Sequence, residues 1–438
     1  MEQKLSAADE KLISDLLPKK FNRQGYVWIG ILLTICAVGV YAYIRQIRYG
    51  LVVTGLRDYA LWGLYISNFV YFVAISLVGS LIAAVLRLTG VKWATPITRI
   101  AEVIAFAAIV FAGISIMLDM GRPDRFYNLF IYGRLQSPII WDVLVIVTYL
   151  AFSFILIYIP LLPDIKLMLR NQESYPKYLN WIYNFFGSFW LGTKEQKDIR
   201  EKAVSVLTIG IVPAAFCIIS VDAWLFATTY RPGWDATSSE AYFISGAFLV
   251  GSGTVIIAMY IYRKYYGLEK YLTDAHFDKM GKILALLAVL YVYFNITEYL
   301  IPFFKLKKSE EAYLRSLLLG EFAPVFWFAI AIGMIIPIFI MMFKKGRTPL
   351  PMFITGIMVV VGAWVKRYLI VPPTLLHPFL PMHNVPKNFT TYSPTWEEWA
   401  ISMATIAGTL LIVTLFTRIF PIIPINELIE ERHEKDNQ

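Results

Sequence analysis

The sequence predicts an all-α integral membrane protein with about ten transmembrane helices. Of its 438 residues, 58% are hydrophobic and only 16% are charged, whereas a typical soluble protein carries about 25% charged residues. The mean hydropathy is +0.59, and apolar runs of roughly 20 residues, the length that crosses a bilayer, recur along the whole chain. Because these runs are long and continuous rather than alternating, we expect helices and not the strands of a membrane barrel.

Ten apolar segments are the predicted spans: Tyr26–Ile44, Leu61–Leu86, Ile97–Leu118, Ile139–Ile159, Ala203–Thr228, Ala241–Ile261, Ile283–Phe303, Phe322–Met342, Phe353–Ile370 and Trp399–Phe416. With the N-terminus inside, 26 of the 40 lysines and arginines fall on the inner side and 14 on the outer side. This bias predicts that both termini are cytoplasmic and that the number of spans is even, which fits eight spans as well as ten. The charged first 25 residues show no cleavable signal peptide.

This topology divides the chain into segments with distinct positions. They are a cytoplasmic tail (1–25), a first peripheral helix with its outer loop (26–60), a four-helix bundle (61–230), a second four-helix bundle (231–371), an outer proline-rich loop (372–398), a last peripheral helix (399–420) and a cytoplasmic tail (421–438).

Polar residues near the ends of the apolar segments are the candidate functional groups. A carboxylate at the bilayer centre costs about 2.5–3.5 kcal/mol, so an acid in a span is a functional candidate by default. In the predicted topology, spans two to five each have one end on the outer side. Those ends and the loop GRPDRFYN after span three carry Tyr65, Asn68, Asp119, Arg122, Tyr127, Asp142, Asp222 and Trp224. We interpret this convergence as the rim of a binding pocket.

Further acids suggest either proton movement or ion pairing. Glu102 precedes Asp119 by 17 residues, about 25 Å along a helix, and so lies at the other end of span three. It belongs either to a proton route or to an ion pair with Arg99 or a loop lysine near the head groups. The outer helix ends also carry Glu298, Glu321 and the basic pair Lys366–Arg367. These acids and bases either form ion pairs between helices or belong to a second proton-conducting bundle.

Several classes of cofactor and partner are not expected. All four histidines lie outside the predicted spans, which argues against a membrane haem. The two cysteines, Cys36 and Cys217, lie inside apolar segments and form no CxxC motif, so we predict no iron–sulfur cluster and no metal site in this chain. The net charge of +9 fits basic cytoplasmic loops facing anionic lipid rather than nucleic acid.

At this point the residues support a family resemblance. It is carried by Leu61–Leu88, the loop MGRPDRFYN, the segment SPIIWDVLVIVTYL at 137–150, KRYLIVPPTLLHP at 366–378 and YSPTWEEW at 392–399. These stretches resemble the NrfD/PsrC family, the membrane subunits of polysulfide- and nitrite-reductase-type complexes. Ten spans are similar to the long branch, which includes ActC of alternative complex III and DsrP/HmeB. The chain departs from the ActC type at Asp119, where that type is expected to have a histidine.

The resemblance implies a quinone-binding subunit of a multi-subunit respiratory oxidoreductase in the cytoplasmic (inner) membrane, inactive alone and without a redox cofactor of its own. It implies menaquinone as the quinone, a ferredoxin-like iron–sulfur subunit on the extracytoplasmic side, further membrane and catalytic subunits, and a quinone pocket in the bundle at 61–230. Asp142, by its motif position, and Asp119 are the candidate catalytic acids, since a carboxylate within hydrogen-bond reach of a ring oxygen accepts or returns a proton. The other rim residues are candidate quinone ligands, and Glu102, Glu298 and Glu321 are candidates for a proton pathway.

Two alternatives remain open at the level of sequence. A proton-coupled secondary transporter would also use intramembrane acids, although its halves typically contain matched helix breaks, and none is obvious here. A structural anchor for a peripheral enzyme would explain the topology and leave those acids without a role.

Overall fold

The computed structural model describes residues 6–18, 22–90, 92–170, 179–234, 238–305, 308–380, 383–386 and 389–436. The structure is 81% helical, and these residues contain no strand. The all-α prediction is therefore confirmed.

The helices are numbered here in chain order. They are α1 (Ala7–Leu16), α2 (Arg23–Tyr49), α3 (Leu64–Leu88), α4 (Thr95–Asp119), α5 (Asn128–Ile131), α6 (Pro138–Arg170), α7 (Asn180–Gly187), α8 (Lys194–Ala227), α9 (Ser239–Tyr266), α10 (Asp274–Lys305), α11 (Lys308–Leu318), α12 (Ala323–Ile330), α13 (Ile336–Met342), α14 (Pro349–Ile370), α15 (Pro372–Leu375), α16 (Trp396–Ile419) and α17 (Ile425–Asp436).

Nine helical segments in the described ranges are long and apolar enough to cross a membrane, with α12 and α13 forming one of them through a π-helical turn at Ala331–Ile335. They are α2, α4, α6, α8, α9, α10, α12–α13, α14 and α16. Helix α3 is 25 residues long and is apolar over Leu64–Gly79. These helices lie at the ten predicted positions, and the chain is a multi-pass membrane protein.

Two helices are longer than their predicted spans. Helix α6 continues past Ile159 through Pro160 and Pro163 to Arg170. The predicted span ended at Ile159, although proline within a helix removes one backbone hydrogen bond and does not by itself end the helix. Helix α8 begins at Lys194, nine positions before the predicted Ala203, with Thr193 as its N-cap. Its polar first turns extend the helix beyond the apolar segment.

Close helix contacts depend on residues without bulky side chains. A Cβ atom added at Gly79 of α3 would lie 2.0 Å from the carbonyl oxygen of Ala101 in α4. A Cβ atom at Gly39 of α2 would lie 2.2 Å from Cβ of Ala404 in α16. Helices α3, α4, α6 and α8 pack on one another, α9 packs on α10 and α14, and α3 joins these two groups by packing against α9. Helix α2 packs mainly on α16.

A buried ion pair holds the C-terminal helix on the transmembrane helices. Nη1 of Arg99, in the first turns of α4, donates to Oδ2 of Asp164 near the end of α6 (2.6 Å). The same carboxylate accepts the backbone N–H groups of Ile425 (3.2 Å) and Asn426 (2.8 Å), which open α17. Helix α1 packs on α17. The described parts of both chain termini therefore lie at the same end of the helices, called here the termini end.

Candidate functional site

Two carboxylic acids meet at the other end of the helices. Asp142 lies in the second turn of α6, and Asp222 lies near the end of α8, which packs against α6. Their side chains are buried, with residue exposures of 3% and 0%, and the carboxyl groups lie within hydrogen-bond reach of each other. Oδ1 of Asp142 and both carboxyl oxygens of Asp222 have no hydrogen-bond donor among the described residues. Adjacent carboxylates repel when both are ionised and attract when they share one proton, so this pair is suited to accepting and returning a proton.

An arginine from α14 lies beside the acid pair. Arg367 is 2% exposed, and its charge acts on Asp222. Its guanidinium carbon lies 5.2 Å from the centre of the Phe243 ring, and its Nη1 has no acceptor in the described part of the chain. Gly246 of α9 provides the space for this side chain, because a Cβ atom there would lie 2.8 Å from Nη2 of Arg367 and 2.7 Å from the Tyr291 ring.

The residue before this arginine belongs to a tyrosine-rich cluster. Lys366 is fully buried, donates a hydrogen bond to the Tyr299 hydroxyl and lies in the electrostatic range of Glu298. Nearby, the Tyr291 hydroxyl donates to the Tyr242 hydroxyl (3.2 Å). The predicted proton-pathway residue Glu298 is thus within electrostatic range of a buried cation, whereas Glu321 is exposed just before α12.

Asp119 and Tyr65 belong to a different cluster, formed by α2, α3, α4 and α16. The Tyr65 hydroxyl donates to Oε1 of Gln46 (2.7 Å), and Nε2 of Gln46 donates to the Leu118 carbonyl (2.8 Å). Asp119 ends α4, and its Oδ1 has no hydrogen-bond donor among the described residues. The charge of Glu398 acts on both Asp119 and Tyr65.

Glu398 was not singled out from the sequence, although the pattern Thr395-x-x-Glu398 is typical of a capping box at a helix start. The structure contains this box, and Glu398 is fully buried. Its carboxylate also accepts the backbone N–H of Gly55 (2.6 Å) and the Tyr392 hydroxyl (2.7 Å), which itself accepts the N–H of Leu64 (2.9 Å). Burial and the charge of Glu398 raise the pKa of Tyr392. This network holds the loop before α3 against the start of α16.

The other predicted pocket residues differ in exposure. Oδ1 of Asn68 accepts a hydrogen bond from the Trp364 indole (2.9 Å) and is buried. Trp224 is 43% exposed and donates to a glutamate of α9. Tyr127 is 59% exposed, and Arg122 forms an exposed ion pair (2.8 Å) within the loop between α4 and α5. The structure therefore brings Asp142 and Asp222 together and places Arg122 and Tyr127 on an exposed loop.

Glu102 is buried in α4 near the termini end, with 4% exposure. The expected ion pair of Glu102 was with Arg99 or a loop lysine. The described hydrogen bonds of Arg99 go to Asp164 and to the carbonyls of Pro160, Pro421 and Ile423. Among the residues that the structure covers, no group of three or more His, Cys, Asp or Glu side chains is arranged to hold a metal ion.

The fold and this geometry define a class: a multi-pass α-helical membrane protein with buried ionisable groups at one end of its helices. A comparison with family models gives the more particular assignment. The model of the polysulphide reductase NrfD family matches residues 52–378, and the chain belongs to that family. This confirms the resemblance carried by the sequence motifs.

Three characterised relatives extend the comparison over most of the chain. A subunit of the selenate reductase of Mesobacillus selenatarsenatis is 24% identical, over 93% of this chain and 97% of the relative. The Hdr-like menaquinol oxidoreductase integral membrane subunit of Archaeoglobus fulgidus is 23% identical, over 93% and 97%. The menaquinone reductase integral membrane subunit of Nitratidesulfovibrio vulgaris is 22% identical, over 91% and 92%. The chain is thus similar in length and sequence to membrane subunits of redox complexes.

Proposed function

We propose that this chain is the quinone-reactive membrane subunit of a multi-subunit respiratory oxidoreductase. The observation that carries the proposal is the buried pair Asp142–Asp222, in which three carboxyl oxygens have no hydrogen-bond donor among the described residues and which lies beside Arg367. Membership of the NrfD family supports it, as do the names of two relatives, a menaquinone reductase and a menaquinol oxidoreductase subunit. Menaquinone is accordingly the quinone that we propose.

The hydrogen-bond acceptors of the acid pair fit a quinol. A quinol supplies two electrons and two protons when it is oxidised, and its hydroxyl groups are hydrogen-bond donors. The partnerless oxygens of Asp142 and Asp222 are acceptors, and a carboxylate in this position takes a hydroxyl proton as a general base. Arg367 stabilises the negative charge of the pair before the proton arrives. Asp119 is the second candidate acid, with Tyr65 of α3 in the same cluster, and Asn68 follows Tyr65 by one turn on α3.

The remaining predicted ligands belong to the rim in this proposal. Trp224, Arg122 and Tyr127 line the approach to the site at the extracytoplasmic surface. Electrons leave to a ferredoxin-like iron–sulfur subunit that docks on this surface, and further membrane and catalytic subunits complete the complex. Both termini are cytoplasmic in this orientation, in the cell membrane.

The proton pathway is a further part of the proposal. Glu298 and Lys366 lie in the second group of helices, joined to the acid pair through the neighbouring Arg367. Glu102 lies near the opposite end of α4 from Asp119. We assign these acids, with the exposed Glu321, to proton exchange between the quinone site and the two membrane surfaces.

The test is quinol-linked electron transfer in the intact complex. Asp142→Asn and Asp222→Asn each remove a proton acceptor while preserving side-chain size, so we expect a roughly 10²–10⁴-fold loss of turnover. Asp198→Asn is the matched control, since Asp198 is exposed in the polar first turns of α8, at the termini end and away from the acid pair. Full turnover in correctly folded Asp142→Asn would refute the assignment. A protein that purified without redox partners and moved a solute across vesicles would instead favour the transporter.

A further inference from the structure

A cavity of about 260 Å³ lies at the termini end, far from the acid pair. Its walls come from the end of α3, the second half of α6, the first turns of α8 and the C-terminal helix α17. Thr208, which lines it, precedes Asp222 on α8 by 14 residues, or about 21 Å along the helix axis. The cavity is therefore separate from the proposed quinone site.

The deepest polar group of the cavity lacks a partner. Thr208 is 2% exposed, and its hydroxyl has no hydrogen-bond partner among the described residues. A buried threonine in a helix usually donates to the carbonyl four residues earlier, as Thr254 does to Val250 (2.9 Å). Because an unpaired buried hydroxyl is unfavourable, a ligand that brings an acceptor oxygen fits this position.

The mouth of the cavity carries charges of both signs. Arg200, Glu201 and Glu427 line it. Nη2 of Arg200 contacts Oε1 of Glu430 (3.4 Å), and its guanidinium carbon lies 5.8 Å from the centre of the Trp190 ring. Among the described lining residues, a ligand that carries only negative charge would meet two carboxylates beside one arginine. A ligand with both a phosphate and an ammonium group matches this arrangement.

The apolar surroundings place the cavity beside lipid. Leu88, Pro160 and Val204 form its apolar walls, and Leu88 is 54% exposed. The neighbouring surface of α8 exposes Val206 (68%) and Ile209 (57%), side chains that face the acyl chains in a membrane helix. The distance from Arg200 to Thr208 is about 12 Å along α8, so the lining changes from charged to apolar over the depth of a lipid head group and its ester linkages.

We propose that this cavity binds one phospholipid with a primary-amine head group, of the phosphatidylethanolamine class. The phosphate pairs with Arg200, the ammonium group donates to Glu201, and an ester carbonyl accepts a hydrogen bond from the Thr208 hydroxyl. The acyl chains leave along Leu88 and Val204. In the proposed orientation this is a lipid of the cytoplasmic leaflet, but the binding chemistry does not depend on the quinone function.

The experiment is native mass spectrometry of the protein, purified with its accompanying subunits, delipidated and titrated with lipids of identical acyl chains. We expect phosphatidylethanolamine to bind more tightly than phosphatidylcholine, which lacks N–H donors, and than anionic phosphatidylglycerol. Glu201→Gln should weaken phosphatidylethanolamine binding about tenfold, the effect of losing one charge-assisted hydrogen bond. Glu195→Gln, an exposed position six residues earlier on α8, is the matched control and should bind as the original protein does.

A second variant tests the deep end of the cavity. Thr208→Val keeps the shape of the side chain and removes only the hydroxyl, so the fold should persist while lipid binding weakens severalfold. Equal binding of the three lipids, preference for phosphatidylglycerol, or unchanged binding in both Glu201→Gln and Thr208→Val would each overturn the proposal. Turnover with quinol is measured in parallel, so that failure of the lipid site is distinguished from failure of the quinone site.

Discussion

The Arg99–Asp164 pair gives a prediction whose size follows from the structure. Asp164→Ala removes the acceptor for Arg99 Nη1 (2.6 Å) and for the two N–H groups that open α17. Both side chains are at most 3% exposed, so the variant leaves a buried cation without its counter-ion, which costs about 3–5 kcal/mol. Loss of the helix cap adds about 1 kcal/mol. We therefore expect a destabilisation of about 4–6 kcal/mol, concentrated at the docking of α17.

Hydrogen exchange measured by mass spectrometry on the detergent-solubilised protein resolves this effect. Peptides covering 425–436 should exchange much faster in Asp164→Ala, while peptides from α9 and α14 should change little. The control is Asp124→Ala, which breaks an ion pair whose side chains are 63% and 59% exposed. Exposed pairs contribute little to stability, so this variant should match the original protein. Equal exchange of α17 in the two variants would show that the buried pair does not hold the C-terminal helix.

Three further predictions concern other contacts. Gly246→Ala introduces a Cβ atom 2.8 Å from Arg367 Nη2, so we expect displacement of this arginine and a reduced quinol turnover, with the circular dichroism spectrum unchanged. Glu398→Ala removes the acceptor for the Tyr392 hydroxyl, and hydrogen exchange of residues 55–64 should rise. Burial raises the pKa of Asp9, but hydrogen bonds and the charge of a histidine in α17 outweigh it and hold the pKa below its ordinary value of 3.8. An acid whose pKa is lower in the folded than in the unfolded state stabilises the fold at pH values above its unfolded-state pKa. This stabilisation is lost as the pH falls, so hydrogen exchange of α1 should increase below about pH 4.

The ten helices were predictable because bilayer thickness fixes the length of apolar sequence that a span needs. The ends of the helices were less predictable, since hydropathy marks the membrane boundary and not the end of the helix. Helix α8 shows this: its polar turns from Lys194 to Lys202 are as helical as the apolar part that follows. In α6, Pro160 lies within the helix rather than at its end.

The sequence predicts at which end of the helices the candidate acids lie, but not which of their side chains contact each other. Alternating topology placed Asp119, Asp142 and Asp222 on one side of the membrane, as derived from the sequence alone. Which side chains meet depends on the rotation of each helix about its axis and on its neighbours. That is why Asp222 meets Asp142, whereas Asp119 lies in the cluster with Tyr65. Hydropathy carries no information about either choice.

The separation of these clusters leads to a test of how the site handles two protons. Asp142 and Asp222 are within hydrogen-bond reach and are suited to sharing one proton, so losing either acid disables the same acceptor. Asp119 lies in the other cluster, where Glu398 is its charged neighbour. Residues that act as a unit give non-additive effects, and independent residues give additive ones.

We therefore expect Asp142→Asn combined with Asp222→Asn to slow quinol turnover hardly more than either single variant. Asp142→Asn combined with Asp119→Asn should show the product of the two single effects. The measurement is a double-mutant cycle on the turnover number of the intact complex, with Asp198→Asn, exposed at the termini end of α8, as the neutral partner for each acid. Additivity between Asp142 and Asp222, or a strong coupling between Asp142 and Asp119, would mean that the acids handle protons in a different grouping from the one their contacts define.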